Sequence, residues 1–515
     1  MTELRYPVGE QDFAKIRTQN LVYVDKTEVL YRLVTTRSYY FLSRPRRFGK
    51  SLMLSTLRYY FEGRRELFQG LAMERLEQQW TVHPVIYLDM SRGKSINMFS
   101  FRSMVDAMLA DHEKIYRISK SDTDSYGTRL LRIIDAAYEA TGQGVVVLID
   151  EYDAPLLDSL DKPEQLDEIR QQVCDLYSPL KAKAAQLRFV MLTGITKFSQ
   201  LSIFSELNNL ANISMEPDYE AICGITEHEM LTQLRPGIEQ MAQRTGITMD
   251  ECVTQLKEYY DGYHFSEELT DIYNPYSLLS ALASRRLGLH WFGTATPTWL
   301  ISLLRHYRFD ITEMECVPTS ALRFDKPAQQ IHDVVPVLYQ SGYLTIKDYD
   351  DGIYFLGIPN REVRTGLGES LTEYTDVEPI ERKDYLRLAY RKLVKHGDLD
   401  GFMSRLTDFF HSIPYDATLA SEKHYQSVLY AVLASFGADV MAEDRTSDGR
   451  ADIVLRLPQD IYVIELKYGK TVDAAMEQLY RKDYAAKWRG DGRRIRLLGM
   501  NINADTRTID AWRCE

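Results

Sequence analysis

Short apolar runs separated by polar turns predict that strands and helices alternate along the first half of the chain. Residues 145–149 form a continuous aliphatic run. A run without polar alternation predicts an interior strand of a parallel sheet that is covered on both faces. Similar runs predict strands at 39–42, 85–88 and 187–193, with helices between them. This order predicts an α/β fold built on a parallel sheet.

The second half of the chain changes pattern several times. Residues 277–358 are predicted to be a small helical region that closes on a hairpin, which is a winged-helix-like layout. Further on, a helix that opens at Glu422 precedes three predicted strands and another helix. We therefore expect a parallel-sheet domain at 1–275, a helical or winged-helix-like lid at 276–360, a helical connector at 361–400 and a second α/β domain at 401–515.

A phosphate-binding loop is predicted between the first strand and the helix that follows it. Gly49, Lys50 and Ser51 open that helix. Backbone N–H groups at a helix N-terminus bind phosphate, a lysine neutralises it, and a serine hydroxyl can join the shell of Mg²⁺. The usual pattern is G-x-x-x-x-G-K-[ST], and Arg44 stands here in place of the first Gly. The alternative is a basic surface loop before a helix.

Two acids at the end of the aliphatic strand favour the phosphate loop. Asp150 and Glu151 follow in the order in which phosphate-loop NTPases place a Mg²⁺-holding Asp and a water-polarising Glu. Solvated acids at a strand end are the alternative. Thr193, at the end of a later strand, is the candidate for sensing the γ-phosphate. The polar segment 197–210 is predicted either to contact nucleotide or a neighbouring subunit, or to supply turns and caps.

A second chemical site is predicted on the C-terminal hairpin. A turn centred between Pro458 and Gln459 places Asp452 directly opposite Glu465, and Lys467 on the same face. Two adjacent carboxylates on an apolar hairpin are costly unless a cation neutralises them, and oxygen ligands suit Mg²⁺ or Mn²⁺. The alternative is an ordinary salt bridge on a solvated face.

Composition limits the classes of protein and partner. Five cysteines without a C-x-x-C pair, and apolar runs too short to span a bilayer, predict a cytoplasmic protein with reduced thiols and no membrane partner. With 62 Lys and Arg against 74 Asp and Glu, the formal net charge is −12, so any contact with nucleic acid must be local. Residues 465–515 carry eleven Lys or Arg against eight Asp or Glu, which permits local phosphate contacts.

Together these motifs resemble a large prokaryotic family that joins an AAA-like P-loop ATPase domain to a C-terminal nuclease domain of the PD-(D/E)XK superfamily. The resemblance extends over nearly the whole chain, and an Arg in place of the first loop Gly belongs to the family's pattern. The segments that carry it are 7–9 with Phe13, 23–27, 44–51, 150–153, 204–210, 260–263, 273–275, 342–344, and 449–452 with 465–467.

The resemblance implies a P-loop NTPase sheet with a helical or winged-helix lid, followed by a restriction-endonuclease-like α/β domain. It also implies roles for individual residues. Glu422 would supply the superfamily's acid on the first helix, with Glu443 as the alternative, and Gln478 would be accessory. Ala451 stands where the superfamily has Pro. The remaining implied site residues are Arg46, Arg47, Phe48, Gly49, Lys50 and Ser51 for phosphates, Ser51 and Asp150 for Mg²⁺, Glu151 for water activation, Asp452 and Glu465 for the catalytic metal, and Lys467 for catalysis.

The function expected from this resemblance is ATP binding and hydrolysis coupled to Mg²⁺- or Mn²⁺-dependent cleavage of DNA rather than RNA, in genome defence or mobile-element biology. Two alternatives stay open. One is a nucleotide-switched nucleic-acid-binding protein with a weak or inactive nuclease domain, and the other is an ATPase acting on protein. The resemblance also allows a homo-oligomer, because AAA-like sites often take an Arg from a neighbouring subunit. The candidates for this Arg, in no order of preference, are Arg46, Arg47 and Arg188.

Overall fold

The computed structural model divides into two compact units. One comprises Met1–Gly288 with Pro318–Phe355, and the other comprises Leu289–Val317 with Leu356–Glu515. The polar segment predicted at 197–210 lies outside the described residues except for Leu210. The structure describes residues 4–94, 97–119, 123–159, 163–196, 210–292, 301, 304–305, 307, 309–324, 333–374, 380–413, 421–446 and 449–515.

A five-stranded parallel sheet forms the centre of the first unit. Its strands are β1 (Tyr39–Ser43), β2 (Val85–Asp89), β3 (Val145–Asp150), β4 (Leu187–Gly194) and β5 (Ala211–Asn212). They lie in the order β2-β3-β4-β1-β5, and every neighbouring pair is parallel. All six residues of β3 are buried, so the interior strand predicted from its aliphatic run is confirmed.

Helices cover both faces of this sheet. The helices that precede or follow its strands are α1 (Phe13–Thr18), α2 (Thr27–Thr36), α3 (Lys50–Phe61), α4 (Ala72–Leu76), α5 (Met98–Ile115), α6 (Tyr126–Thr141), α7 (Ala154–Leu157), α8 (Pro163–Tyr177) and α9 (Pro179–Ala182). Phe41 of β1 packs into a core with residues of α5, α6 and α8. On the other face, the ring of Phe189 lies 5.2 Å from that of Phe61 in α3. The α/β class is therefore confirmed.

The rest of the first unit is helical, with two small sheets. Its elements are β6 (Ile225–Thr226), α10 (Glu227–Gln233), α11 (Arg235–Thr245), α12 (Met249–Tyr260), β7 (Ile272–Tyr273), α13 (Pro275–Ser284), β8 (Val317–Ser320), α14 (Ala321–Phe324), α15 (Val335–Ser341), β9 (Thr345–Asp350) and β10 (Ile353–Gly357). β6 and β7 pair antiparallel. β9 and β10 are neighbours in the sheet β8-β10-β9, which confirms the predicted hairpin.

The second unit contains a mixed five-stranded sheet. Its elements are α16 (Arg361–Tyr374), α17 (Ile380–His396), α18 (Leu399–His411), α19 (Glu422–Ser435), β11 (Asp439–Thr446), β12 (Gly449–Arg456), β13 (Asp460–Tyr468), α20 (Val472–Lys482), β14 (Arg494–Ile502) and β15 (Ile509–Cys514). The strand order is β11 to β15 in sequence, and only β13 and β14 pair in parallel.

The predicted register of the β12–β13 hairpin is confirmed. Ile453 pairs with Ile464, so the next positions along the two strands are Asp452 and Glu465. Val454 and Val463 pack against α20 in one hydrophobic cluster. Within the described residues, we find no helix with the length and apolar character needed to cross a membrane.

Candidate functional site

The predicted phosphate loop ends in a left-handed glycine. Gly49 has a φ of 95°, which a residue with a Cβ adopts only with strain, and it immediately precedes the first helical residue, Lys50. A Cβ at Gly49 would meet no atom within 4 Å, so the loop is open at this point. The first turn of α3 carries no acidic side chain. The positive end of the helix dipole is thus available to an anion.

Lys50 is held inside the loop by protein oxygens. Its side chain is buried, and Nζ donates to the carbonyl oxygens of Arg44 at 3.0 Å and Pro45 at 3.2 Å. Nζ also lies 3.7 Å from Oε1 of Glu151. A phosphate that enters the loop must therefore compete with these oxygens for the ammonium.

Arg44, which stands in place of the usual glycine, is buried and hydrogen-bonded to backbone carbonyl groups. Its guanidinium donates to the carbonyl oxygens of Ser43 at 2.9 Å, Ser214 at 2.6 Å and Tyr219 at 3.2 Å. The same group lies 4.0 Å from the centroid of the Phe265 ring. The contacts with Ser214 and Tyr219 fix the start of the loop to a segment about 170 residues later in the chain. The sequence shows that Arg44 stands in place of the usual glycine, but it does not indicate that Arg44 holds the loop to a remote segment.

The acid at the end of β3 is surrounded by hydroxyl groups. Thr193 Oγ1 donates to Oδ1 of Asp150 at 2.7 Å, and the Tyr87 hydroxyl donates to Oδ2 at 3.2 Å. Burial raises the pKa of Asp150, while hydrogen bonds from Ser51 and Thr193 act in the opposite direction. The structure therefore brings Ser51, Asp150 and Thr193 together. Thr193 is fully buried, and its hydroxyl is engaged with this carboxylate.

The three residues before the loop glycine are placed differently from one another. Arg46 is exposed. Arg47 has a φ of 66°, and its guanidinium lies 3.9 Å from the centroid of the Tyr276 ring. Phe48 is buried, with its ring edge-on to that of Tyr263 at 4.8 Å. The Phe48 side chain therefore anchors the loop in the core, whereas the two arginines lie nearer the surface.

Asp153 is a further residue near this site, and its role is not indicated by the sequence. Its buried Oδ2 accepts hydrogen bonds from the backbone of Ile195 at 3.0 Å and Thr196 at 2.6 Å. A Cβ on Gly194 would lie 2.5 Å from Asp153 Oδ1, so only glycine fits there without movement. Burial, and then the charge of Glu151, raise the pKa of Asp153 to about 6. Asp153 thus fixes the backbone directly after β4, a contact across the sheet that no sequence spacing indicates.

Three carboxylates meet at the second site. Glu422 is the first residue of α19, Asp452 lies in β12 and Glu465 lies in β13. One carboxylate oxygen from each lies within 4.8 Å of the other two. Oε2 of Glu465 is buried and accepts no hydrogen bond from any residue that the structure describes. An unsatisfied buried oxygen beside two further carboxylates fits a hard divalent cation.

Lys467 lies between two of these carboxylates. Its Nζ lies 2.6 Å from Oε1 of Glu465 and 3.2 Å from Oε1 of Glu422. It also donates to the Leu466 carbonyl oxygen at 2.9 Å, while the backbone N–H of Leu466 donates to Oδ2 of Asp452 at 2.8 Å. Glu465 is 0% exposed and Lys467 is 4% exposed. The alternative of a salt bridge on a solvated face does not describe this arrangement.

Burial and charge set the titration of the cluster. Burial, and then the charge of Asp452, raise the pKa of Glu465 to about 8. Burial also raises the pKa of Asp452 to about 6. Burial by itself would lower the pKa of Lys467, but its hydrogen bond and charge interaction with Glu465 outweigh this and raise it. The cluster thus carries one firmly held ammonium beside carboxylates that resist full ionisation without a cation.

The two candidates for the helix acid are separated in the structure. Glu422 belongs to the carboxylate cluster, whereas Glu443 is engaged by Lys423 at 2.8 Å and by Gln426 at 3.0 Å. Gln426 also donates to the carbonyl oxygen of Asp452 at 2.7 Å. Gln426 lies four residues after Glu422 on the same helix face, so helical spacing could have indicated it.

The accessory candidate Gln478 contacts a tyrosine. Its side-chain amide donates to the Tyr484 hydroxyl at 3.2 Å. Burial raises the pKa of Tyr484, the hydrogen bond from Gln478 lowers it, and the charges of Glu465 and Asp452 add to the rise. Gln478 therefore orients the phenol of Tyr484.

The cluster predicts that the metal-free protein loses stability as pH rises. The unfolded chain releases the Glu465 proton near the ordinary pKa of 4.5, whereas the folded protein holds it to about 8. Between these values the folded state binds more protons, so the free energy of unfolding falls with rising pH. Urea unfolding in EDTA measures this slope. Glu465→Gln should flatten it, and Mg²⁺ should raise stability most at pH 8. An equal slope in both proteins would contradict the assignment.

Comparison with known sequences assigns both parts of the chain. Residues 7–204 match the family described as "Predicted AAA-ATPase". Residues 420–512 match the "PD-(D/E)XK nuclease superfamily". A protein of Azotobacter chroococcum mcd 1, described as "Uncharacterized protein in vnfD 5'region", is 36% identical over 524 residues, which cover 99% of this chain and 98% of that protein.

Three solved structures show a distant likeness. Cdc6p from Pyrobaculum aerophilum has a TM-score of 0.25 at 11% identity and covers 70% of this chain and 94% of its own. The Aeropyrum pernix ORC2 protein, solved as ADPNP-ADP complexes, has a TM-score of 0.24 at 14% identity, with coverage of 70% and 91%. The Aeropyrum pernix ORC1 protein in complex with DNA has a TM-score of 0.22 at 11% identity, with coverage of 90% and 94%.

Proposed function

Because this chain belongs to the family that joins an AAA-like ATPase domain to a PD-(D/E)XK nuclease superfamily domain, we propose that it is an ATP-regulated, metal-dependent DNA nuclease. The observation that carries the proposal is the group formed by Glu422, Asp452 and the buried Glu465, in which Lys467 contacts both Glu422 and Glu465. DNA rather than RNA as substrate, cytoplasmic action, homo-oligomerisation and a genome-defence or mobile-element role are parts of the same proposal.

The carboxylate cluster would supply the metal-binding half of the nuclease. Glu422, Asp452 and Glu465 would hold Mg²⁺ or Mn²⁺, and the ion would polarise the scissile phosphate and generate the attacking hydroxide. Lys467 would donate hydrogen bonds to phosphate oxygens as negative charge develops on them. Its ammonium already lies among the carboxylates, so little reorganisation is needed.

At the phosphate loop, ATP would change the partners of Lys50. The lysine would exchange the carbonyl oxygens of Arg44 and Pro45 for phosphate oxygens. Ser51 and Asp150 would hold the Mg²⁺ that accompanies the nucleotide, and Thr193 would act through its hydrogen bond to Asp150. Glu151, now 3.7 Å from Lys50, would then be free to orient the attacking water.

Cleavage of plasmid, linear and single-stranded DNA, with Mg²⁺ or Mn²⁺ and with or without ATP, tests the proposal. Asp452→Asn should abolish cutting, because it removes a charged ligand from the cluster. Asp473→Asn is the matched control, because that side chain is 74% exposed and pairs with Arg513 at the surface. Lys50→Ala should remove the dependence on ATP and leave the metal dependence in place.

Measurements of cleavage, DNA binding and ATP turnover on the same protein separate the proposal from its alternatives. Protein that binds ATP but cuts none of the substrates with either metal would overturn the nuclease. Salt-sensitive DNA binding in that protein would then support a nucleotide-switched binder. ATP turnover that responds to added protein and is indifferent to DNA would instead support an ATPase that acts on protein.

A further inference from the structure

A basic groove lies between α17 and α18 in the second unit. Its volume is about 520 Å³. Four of its lining residues are cationic, namely Arg391, Lys392, Lys395 and Arg405, and all four are exposed. The whole chain has a formal net charge of −12, so this concentration of positive charge is local. A local basic surface on an acidic protein attracts polyanions without binding them indiscriminately elsewhere.

Among the residues that the structure describes, few acids compensate the positive charge of the groove. Arg391, Lys392 and Lys395 form ion pairs with no residue that the structure describes. The acidic lining residue, Asp398, caps α18 by accepting from the backbone N–H of Gly401 at 3.0 Å. Arg405 pairs with Asp408, but both side chains are 55% exposed, so this pair is weak. Most of the cations are thus available to a ligand.

An aromatic and an aliphatic side chain lie beside these cations. Tyr385 is 63% exposed and Leu388 is 55% exposed, and both line the groove. On α17 they share one face with Lys392 and Lys395, because the four positions follow helical spacing. The opposite face of α17 is buried through Leu386 and Leu393. An exposed ring next to cations offers a surface for an unpaired base beside contacts for its phosphates.

The groove is fixed to the domain that contains the carboxylate cluster. Tyr390 of α17 packs its ring 5.8 Å from that of Phe436, which directly follows α19. In α18, the carbonyl oxygen of Thr407 accepts a hydrogen bond from the Thr508 hydroxyl at 3.1 Å. α19 supplies Glu422 to the carboxylate cluster. A strand held in the groove would therefore be held by the same compact unit that carries the cluster.

We propose that the α17–α18 groove binds single-stranded nucleic acid, with phosphates against Arg391, Lys392, Lys395 and Arg405 and a base stacked on Tyr385. This inference rests on the proposed function for its substrate class and adds a second contact surface to it. A single strand fits better than a duplex, since a duplex keeps its bases stacked away from Tyr385. An acidic peptide would satisfy the cations and leave the ring without a stacking partner.

Fluorescence anisotropy with labelled oligothymidylate in EDTA tests the groove without cleavage. Lys392→Glu with Lys395→Glu should weaken binding at least tenfold and reduce the slope of log K against log salt by about 1.4, because each phosphate contact contributes roughly 0.7 for a single strand. Tyr385→Ala should weaken binding about fivefold or more, whereas Tyr385→Phe should retain it. Arg65→Glu with Arg75→Glu, two exposed cations of the first unit, is the control with the same change in charge.

Three results would overturn the inference. They are unchanged oligothymidylate binding in the double lysine variant, equal effects in the control variant, and stronger competition by polyglutamate or duplex DNA than by a single strand. Since the assay contains no metal, a protein that binds through the groove but never cuts DNA would refute the nuclease and leave the groove intact. If the double lysine variant cut DNA normally and bound oligothymidylate as the native protein does, the groove would be refuted and the nuclease would stand.

Discussion

Lys467→Met is expected to abolish DNA cleavage and to destabilise the protein at neutral pH. The substitution removes the ammonium that lies 2.6 Å from the fully buried Glu465. Once Glu465 is ionised, breaking this buried pair should cost about 3 kcal/mol. This is the low end of the range for a buried ion pair, because Glu465 can take up a proton instead of remaining charged. Loss of the hydrogen bonds to developing phosphate charge should lower the cleavage rate at least about 100-fold.

Cleavage assays and urea unfolding at pH 6 and pH 8 measure both effects. The loss of stability should be larger at pH 8, because burial holds the pKa of Glu465 at about 8 and its carboxyl group is more fully ionised there. Lys470→Met is the matched control, since Lys470 is exposed and follows directly after β13 and Gly469. A Lys467→Met protein that cuts at the native rate would show that this ammonium is structural only.

Arg44→Gly, which restores the usual phosphate-loop glycine, is expected to damage the site rather than improve it. The guanidinium is buried and donates to the carbonyl oxygens of Ser43, Ser214 and Tyr219. Removing it takes the arginine donor away from these carbonyl oxygens and leaves a cavity beside Phe265. We expect the free energy of unfolding to fall by about 3 kcal/mol or more and nucleotide binding to weaken at least tenfold.

Urea unfolding and titration with a fluorescent ATP analogue check this expectation. Arg46→Gly makes the same change two residues later at an exposed position, so its effect on stability should stay within about 1 kcal/mol. If Arg44→Gly bound the analogue as tightly as the native protein, with unchanged stability, the arginine would be a neutral replacement of the glycine.

Local patterns in the sequence were sufficient for the main elements of both sites. The aliphatic run at 145–149 predicts an interior strand because only a strand covered on both faces tolerates it. The register of the β12–β13 hairpin follows from its turn, because pairing on each side of a turn is fixed by its centre. These two arguments place Asp150 at the C-terminal end of an interior strand and Asp452 opposite Glu465, and neither argument needs a distant contact.

Alternatives that the sequence left open depend on distances between remote segments. Glu422 and Glu443 both precede Asp452 in the sequence, and their positions along the chain do not show which of them lies beside it. The packing of α19 against the sheet brings Glu422 into the carboxylate cluster. The sequence makes Thr193 a candidate for sensing the γ-phosphate, and this role stays a prediction. The structure shows its hydroxyl on Asp150, which is a contact between neighbouring strands that no periodicity specifies.

The sequence by itself predicts which residues form the two sites, and the tertiary structure decides how those residues are held in place. Residue types and spacing identify the phosphate loop and the acid–lysine hairpin, because loop, strand and turn are local structures. Other features depend on segments that are separate in the chain. They are the hydrogen bonds of Arg44, the backbone contacts of Asp153 and the basic groove that α17 and α18 line together. Such contacts arise from packing, which assembles side chains that have no fixed separation along the sequence.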